Sequence, residues 1–153
     1  MRLLGLDPGL QRTGWGMIAA DGNRLRFVAA GVVVTDPADD LASRLDALYR
    51  GLKAVVASHA PEVAAVEETV INRNAGSSLK LGQARGVVLL AAAHAGLAVT
   101  EYASKTVKRA VVGTGAADKR QVAMMVRMLL PASGRVANDA ADALAVALCH
   151  AHH

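Results

Sequence analysis

Hydrophobic and polar residues alternate along the first third of the chain in patterns that predict strands. An apolar run at 2–6 ends before a Pro-Gly turn, which marks the end of a short buried strand. Segments 13–19 and 24–34 are rich in strand-forming residues and flank an Asp-Gly-Asn turn. Three strands with short connections predict an antiparallel meander.

The later part of the chain reads as helices separated by two more strands. Leucines recur at helical spacing through 39–58, after an acidic first turn. The same pattern predicts strands at 62–67 and 97–102 and helices at 77–95, 103–111, 119–130 and 138–149. A meander followed by crossover units predicts an α/β fold, in which a mixed five-stranded sheet has helices on both faces. The length of 153 residues suits one domain spanning 1–153.

Composition narrows the class of protein further. Hydrophobic residues make up 53% of the chain and aromatic residues only 3%, so the predicted core is aliphatic and rich in alanine. The single cysteine, Cys149, cannot form an intramolecular disulfide, which favours a reducing compartment such as the cytoplasm. No apolar run approaches the roughly 20 residues that span a bilayer, and the N-terminus lacks a signal-peptide pattern. We therefore expect a cytoplasmic protein without a membrane partner.

Charge is distributed unevenly along the chain. Residues 73–135 contain ten basic and two acidic residues, a net charge of +8, whereas the rest of the chain has seven basic and eleven acidic residues, a net charge of −4. A basic middle segment favours a polyanionic partner, with nucleic acid as the first candidate.

The segment NDAADALAVALCH, residues 138–150, places two aspartates in an otherwise apolar helix. Asp139 and Asp142 fall on one helical stripe, which favours a joint role. The alternative is helix capping, with Asp139 as N-cap and Asp142 as an acid facing the helix dipole. The residues alone leave both interpretations open.

Two further acids lie where strands are predicted to end. Asp7 follows the first strand and Glu67 the fourth, and a right-handed crossover would place these strands side by side. Alternation separates Glu67 from its neighbour Glu68 only weakly. Carboxylates about 5.5 Å apart repel by roughly 3 kcal/mol at an effective dielectric constant of 20, so a cluster needs protons or cations. Two Mg²⁺ ions would balance four carboxylates and support phosphoryl displacement, which predicts a nuclease.

Several motifs together resemble the RuvC family of bacterial Holliday-junction resolvases, over essentially the whole chain. They are GLDPG at 5–9, TGWG at 13–16, VEE at 66–68, SLKLGQARG at 78–86, VVGTG at 111–115 and NDAADALAVALCH at 138–150. The resemblance implies a ribonuclease-H-like fold, a homodimer, cooperation with a branch-migration motor, and Mg²⁺-dependent nicking of opposing strands at a four-way DNA junction. Mn²⁺ would be able to substitute for Mg²⁺.

The resemblance also implies roles for individual residues. The family's four catalytic, metal-binding acids match Asp7, Glu67, Asp139 and Asp142, and its lysines near the scissile phosphate match Lys108 and Lys119. Lys119 would stabilise developing charge. Together with the charge pattern, this predicts DNA contacts by Arg73, Lys80, Arg85, Lys105, Lys108, Arg109 and Arg120.

Two features concern how a junction would be held. Family members carry an aromatic wedge near Val70, whereas this chain has Val70 and Ile71, so an aliphatic wedge is expected in its place. The resemblance further implies that part of the 77–95 helix packs across a dimer interface, but its apolar residues do not separate core from interface.

The alternative functions are a ribonuclease H acting on RNA–DNA hybrids, a non-catalytic junction-binding module and, less favoured, a nucleotide-binding relative of the actin-like fold.

Overall fold

Five strands form one mixed sheet in the computed structural model, which describes residues 1–68 and 74–153. The strands are β1 (Arg2–Asp7), β2 (Arg12–Asp21), β3 (Arg24–Val34), β4 (Val63–Glu67) and β5 (Ala98–Tyr102). Their order across the sheet is β3-β2-β1-β4-β5. The first three pair antiparallel, while β4 runs parallel to β1 and β5 parallel to β4. The predicted meander and mixed sheet are confirmed.

Five α-helices complete the described part of the fold. They are α1 (Leu41–His59), α2 (Ala75–His94), α3 (Ser104–Val112), α4 (Lys119–Leu129) and α5 (Asn138–Ala151), with a 3₁₀ turn at Pro131–Ser133. Asp40 caps α1 through a 3.1 Å hydrogen bond from the Ser43 backbone N–H, which explains why the acidic segment before the leucines starts a helix. Asp118 and Gln121 form a capping box that fixes the start of α4 next to the basic residues of its first turn.

Alternate side chains of the central strands pack into two separate hydrophobic cores. Leu4 and Leu6 face the core formed with α1 and α2. Leu3 and Ile18 face the core formed with α3, α4 and α5. Because strand side chains alternate between faces, both sides of the sheet are covered, as the sequence predicted. No helix among residues 1–68 and 74–153 is long and apolar enough to cross a membrane.

Helix α5 lies unusually close to the sheet because glycines leave room for its backbone. A Cβ on Gly5 of β1 would overlap the backbone oxygen of Ala143 and lie 2.8 Å from the backbone nitrogen of Ala147. A Cβ on Gly14 of β2 would overlap the backbone oxygen of Asp139. The two glycines and the alanine-rich helix therefore set the height of the α5 backbone, and of its aspartates, above the sheet.

Three residues singled out from the sequence lie at 69–73, outside the described residues. They are the wedge candidates Val70 and Ile71 and the DNA-binding candidate Arg73. Their assignments stay predictions.

Candidate active site

Two of the predicted acids meet at adjacent strand ends. Asp7 is the last residue of β1 and Glu67 the last of β4, and the parallel register pairs Leu6 with Val66 one residue earlier. Glu67 lies close enough to Asp7 to contribute to the raised pKa of the Asp7 carboxyl group. Glu68, the alternative to Glu67, is exposed beyond the strand. The crossover that places β4 beside β1 thus brings the two carboxyl groups together.

The other two acids are carried by the first turns of α5. The helix begins after Ala137, which makes no side-chain capping hydrogen bond, so the interpretation of Asp139 as an N-cap is wrong. Asp139 lies in the first turn and Asp142 in the second, and the charges of both contribute to the raised pKa of Asp7. The sequence alone did not distinguish these roles because an N-cap and a residue of the first turn differ by only two positions.

A cavity of about 170 Å³ lies where β1, β4, α3, α4 and α5 converge. Three carboxylates and two lysines share its wall. Its described lining is Asp7, Glu67, Ser104, Val107, Lys108, Lys119, Val122, Asp142 and Ala145. A cavity with both acidic and basic residues on its wall can hold cations and a phosphate together.

Burial and mutual repulsion change the ionisation of these acids. The pKa of Asp7 is raised to about 8, first by burial and then by the nearby charges of Glu67 and Asp142. The pKa of Asp142 is raised to about 6 by burial, although the Lys119 ammonium acts in the opposite direction. Without a cation, this cluster retains a proton at neutral pH.

Asp139 is held by a partner that the sequence analysis missed. The Nε atom of Arg12, the first residue of β2, donates a 2.7 Å hydrogen bond to its carboxylate. Asp139 is not in the described lining of the cavity, although its charge contributes to the raised pKa of both Asp7 and Asp142. Arg12 lies 127 positions earlier in the chain and outside the basic segment, so no local pattern indicated this pair.

The chemistry of the donor set fits a hard divalent cation. All four candidate ligands are carboxylates, which Mg²⁺ and Mn²⁺ prefer. Burial, followed by the charges of Glu67 and Asp142, raises the pKa of Asp7, and a bound cation would offset this repulsion. Among residues 1–68 and 74–153, no three Asp, Glu, His or Cys side chains are already grouped as ligands of one ion. One of the four candidate carboxylates, that of Asp139, is paired with Arg12.

The described basic residues predicted to contact DNA separate into three groups. Lys108 of α3 and Lys119 of α4 line the cavity, and the Lys119 Nζ lies 3.9 Å from an Asp142 carboxylate oxygen. Arg85 differs, because its side chain is 18% exposed and is ion-paired with Glu101. The remaining described candidates lie outside the cavity: Lys80, Lys105, Arg109 and Arg120. Among the predicted DNA-binding residues, Lys108 and Lys119 therefore share the cavity with the acids, whereas Arg85 forms an ion pair within the protein.

Ser104 is a second residue that the sequence analysis missed. It opens α3 and lines the cavity with Lys108, one turn later on the same helix. Its position at the start of a helix was the available signal, since serine there is usually explained by capping. In the structure the cap position is Ala103, which leaves the Ser104 side chain on the cavity wall.

Comparison with known proteins identifies the family. The family model described as "Crossover junction endodeoxyribonuclease RuvC" matches residues 3–150. The chain belongs to the RuvC family. RuvC-family nucleases are metal-dependent, in keeping with the all-carboxylate donor set.

Relatives and solved structures of the RuvC family match over nearly their whole length. The crossover junction endodeoxyribonuclease RuvC of Acidiphilium cryptum is 64% identical over 152 residues, covering 99% of this chain and 91% of the relative. That of Paramagnetospirillum magneticum is 61% identical over 153 residues, covering 100% and 92%. The structure of Thermus thermophilus RuvC in complex with a Holliday junction substrate superposes with a TM-score of 0.91 at 37% identity, covering 99% of this chain and 93% of that one. The predicted ribonuclease-H-like fold is confirmed.

Proposed function

We propose that this protein is an endodeoxyribonuclease that resolves four-way DNA junctions by paired nicks in opposing strands, as a single nuclease domain in the cytoplasm. The observation that carries the proposal is one cavity, lined by three carboxylates and two lysines, in a chain of the RuvC family. The structure of a relative in complex with a Holliday junction supports the choice of substrate.

In this proposal, Asp7, Glu67, Asp139 and Asp142 hold two Mg²⁺ ions, for which Mn²⁺ can substitute. Bound ions of this kind supply Lewis-acid activation of water and stabilise the leaving oxygen of a phosphodiester. Asp7 and Glu67 reach the site from strand ends and Asp139 and Asp142 from a helix, so the ligands come from the rigid sheet and the rigid helix packed on it. Asp7 must release its proton to ligate an ion, because carboxylate ligands bind metals in the ionised form.

The two lysines of the cavity wall act on the substrate phosphate. Lys108 and Lys119 would each contact an oxygen of the backbone near the scissile bond, where Lys119 also balances charge that develops during displacement. Their ammonium groups lie beside the carboxylates, so a phosphate enters a site of mixed charge instead of a purely negative one. The residues Lys80, Lys105, Arg109 and Arg120 extend this positive surface toward the DNA arms.

Helix α2 supports a homodimer. Its buried residues Ala84, Val88, Ala91 and Ala92 face the core, whereas Leu79 and Leu90 on the opposite side are 64% and 57% exposed. Gly82 and Gly86 lie between these leucines, and a Cβ added at either glycine would have no atoms within 4 Å. A stripe of small residues between two leucines allows two helices to approach closely. We assign this stripe as the surface that pairs with a second copy of the chain, which gives one active site for each of two strands.

A cleavage assay on three substrates tests the function. Purified protein is incubated with a labelled four-way junction, a linear duplex and an RNA–DNA hybrid, each with Mg²⁺ or with EDTA. We expect symmetric nicks in the junction alone, and only with Mg²⁺. Selective cleavage of the hybrid would identify a ribonuclease H, and metal-independent binding without cleavage would identify a junction-binding module; either result contradicts the proposal.

A further inference from the structure

The ion pair between Arg12 and Asp139 joins the start of β2 to the first turn of α5. The Arg12 Nε donates to an Asp139 carboxylate oxygen at 2.7 Å, and the side chains are 47% and 34% exposed. Both groups are therefore close enough to solvent to change partners. The contact between Lys119 and Asp142 is looser, since its two atoms lie 3.9 Å apart.

The backbone of Arg12 is fixed on both sides. Its neighbour Thr13 is fully buried, and the Thr13 Oγ1 both donates to the Gly9 carbonyl at 2.6 Å and accepts from the Gly9 N–H at 3.1 Å. On the other side, the Thr35 N–H donates to the Gln11 carbonyl at 3.0 Å. These bonds tie the Arg12 backbone to the turn that follows Asp7.

The backbone of Asp139 is equally constrained. Gly14 packs so closely against it that a Cβ would overlap the Asp139 backbone oxygen. Close packing at Gly14, two residues after Arg12, therefore leaves the β2 and α5 backbones little room to shift against each other, whereas the Arg12 and Asp139 side chains reach solvent. An exchange of partners by Asp139 then requires side-chain rotation and no movement of the helix.

We propose that Arg12 is a positioning residue that competes with a divalent cation for the Asp139 carboxylate. Arg12 keeps Asp139 turned toward β2 until an ion binds, and the ion then takes the carboxylate from the guanidinium. This inference rests on the proposed role of Asp139 as a metal ligand. Arg12 thereby lowers the affinity of the site for the ion and delays its full assembly.

Competition of this kind predicts the direction in which the affinity for the ion changes when Arg12 is replaced. Removing the guanidinium leaves Asp139 without its partner before the ion binds, next to the other acids of the site. The stability of the ion-bound form does not change, because in that form Asp139 no longer pairs with Arg12. Ion binding therefore becomes tighter when Arg12 is neutralised, whereas loss of a residue with only a structural role would weaken binding or leave it unchanged.

Mn²⁺ binding to the full chain, followed by the electron paramagnetic resonance signal of free Mn²⁺, measures this effect without any cleavage. We expect Arg12→Gln to lower the dissociation constant about two- to fivefold, the size typical of a solvent-exposed ion pair. Arg12→Lys keeps the charge but not the planar donor geometry, so its dissociation constant should fall between those of the wild type and Arg12→Gln. Arg50→Gln is the matched control, because it breaks the 3.0 Å pair with Asp46 on α1 and should change nothing.

A double-mutant cycle with Asp139→Asn separates this inference from the proposed function. Asp139→Asn should weaken Mn²⁺ binding, and adding Arg12→Gln to it should have no further effect. Unchanged or weaker binding by Arg12→Gln alone, or an equal change in both backgrounds, would overturn the role of Arg12. If Asp139→Asn itself leaves Mn²⁺ affinity unaltered, then the metal role of Asp139 fails, and the competition fails with it.

Discussion

Asp7 carries the strongest electrostatic conflict among the described residues of the site. It is held at a strand end against Glu67, and its pKa is raised to about 8 by burial and by neighbouring carboxylates. At neutral pH the Asp7 carboxyl is therefore expected to hold a proton, and a protonated carboxyl does not ligate a cation. In the proposed function, metal binding at Asp7 requires release of this proton.

Asp7→Asn should remove this conflict. Between about pH 4 and pH 8, folded Asp7 retains a proton that the unfolded chain has lost, so the free energy of unfolding of the wild type in EDTA falls as pH rises. Asparagine does not titrate. We expect similar melting temperatures for wild type and variant near pH 5 and a variant several degrees more stable near pH 8, where 1 kcal/mol is about 2–4 °C.

Calorimetry with and without Mg²⁺ tests this, together with a cleavage and binding assay. The variant should lose cleavage entirely while it binds junction DNA as well as the wild type or better, because repulsion of phosphate is lower. A variant that is folded but does not bind, or a wild-type stability that rises from pH 5 to pH 8 in EDTA, would contradict the assigned role.

Lys108 and Lys119 should each contribute one phosphate contact. Replacing either with glutamine is expected to reduce the slope of log K against log salt concentration by about 0.9. Lys53→Gln is the control, since Lys53 lies on α1 beside Tyr49 and His94, away from the acidic cavity. Binding of a fluorescent junction in Ca²⁺ over a series of salt concentrations measures the slopes. Equal slopes for all three variants and the wild type would remove both lysines from the interface.

At the residue scale, the sequence was informative where an acidic residue follows directly after a predicted strand. Asp7 and Glu67 follow apolar runs, and the crossover rule places the two strand ends side by side, as the structure does. The choice of Glu67 over Glu68 came from the family resemblance. Arg12 could not be found from the sequence, because its partner is 127 positions away and its neighbours look like an ordinary strand start. The partner of Arg85 was hidden for the same reason, because its ion pair with Glu101 joins α2 to β5, and its contact with DNA stays a prediction.

At the scale of elements, α5 is unusual in being both the core of one layer and the carrier of two site residues. Residues Ala140, Ala141 and Ala143–Cys149 are all buried, and small side chains bring the helix backbone near β1 and β2. The sequence predicted this helix from its alanine content. It did not predict how close the helix lies, since that depends on glycines of strands far away in the chain.

Gly5→Ala should therefore damage the site through the fold. The added methyl group would overlap the backbone of α5, which has no side chain to rotate away, so we expect destabilisation of at least about 2–3 kcal/mol. Thermal unfolding and Mn²⁺ affinity should both decrease, because Asp139 and Asp142 move with the helix. Gly115→Ala is the control: its Cβ would make only ordinary contacts, at 3.5 Å or more. Wild-type stability of Gly5→Ala would show that the helix lies further from the sheet.

Helix α2 shows a second limit of sequence patterns. It is apolar on two sides, and periodicity alone did not say which side faces the core. The structure separates them by exposure: Ala84 and Val88 are fully buried, while Leu90 is exposed. The bounds of α2 were predicted to within a few residues. The dimer role proposed for its outer face, however, depends on the structure, which shows that the opposite face packs in the core.

At the scale of the whole molecule, the proposed dimer would supply one active site for each of two opposing DNA strands. Leu90→Lys places a charge in the stripe that we assign to the interface, and should weaken dimerisation at least about tenfold, or 1.4 kcal/mol, without unfolding the monomer. Sedimentation velocity over a range of concentrations measures this. Met128→Lys alters a similarly exposed apolar residue on α4 and should remain dimeric. A dimeric Leu90→Lys would place the interface elsewhere.

The close contact between α5 and the sheet also affects how the enzyme loses activity on heating. Because the helix that carries Asp139 and Asp142 is almost wholly enclosed, its amide protons should exchange with solvent only when the entire domain opens. Local unfolding of loops would then leave the Asp139 and Asp142 carboxylates in place. Loss of activity on heating should consequently follow the same time course as global unfolding, so that the population of folded but inactive molecules stays small at every temperature.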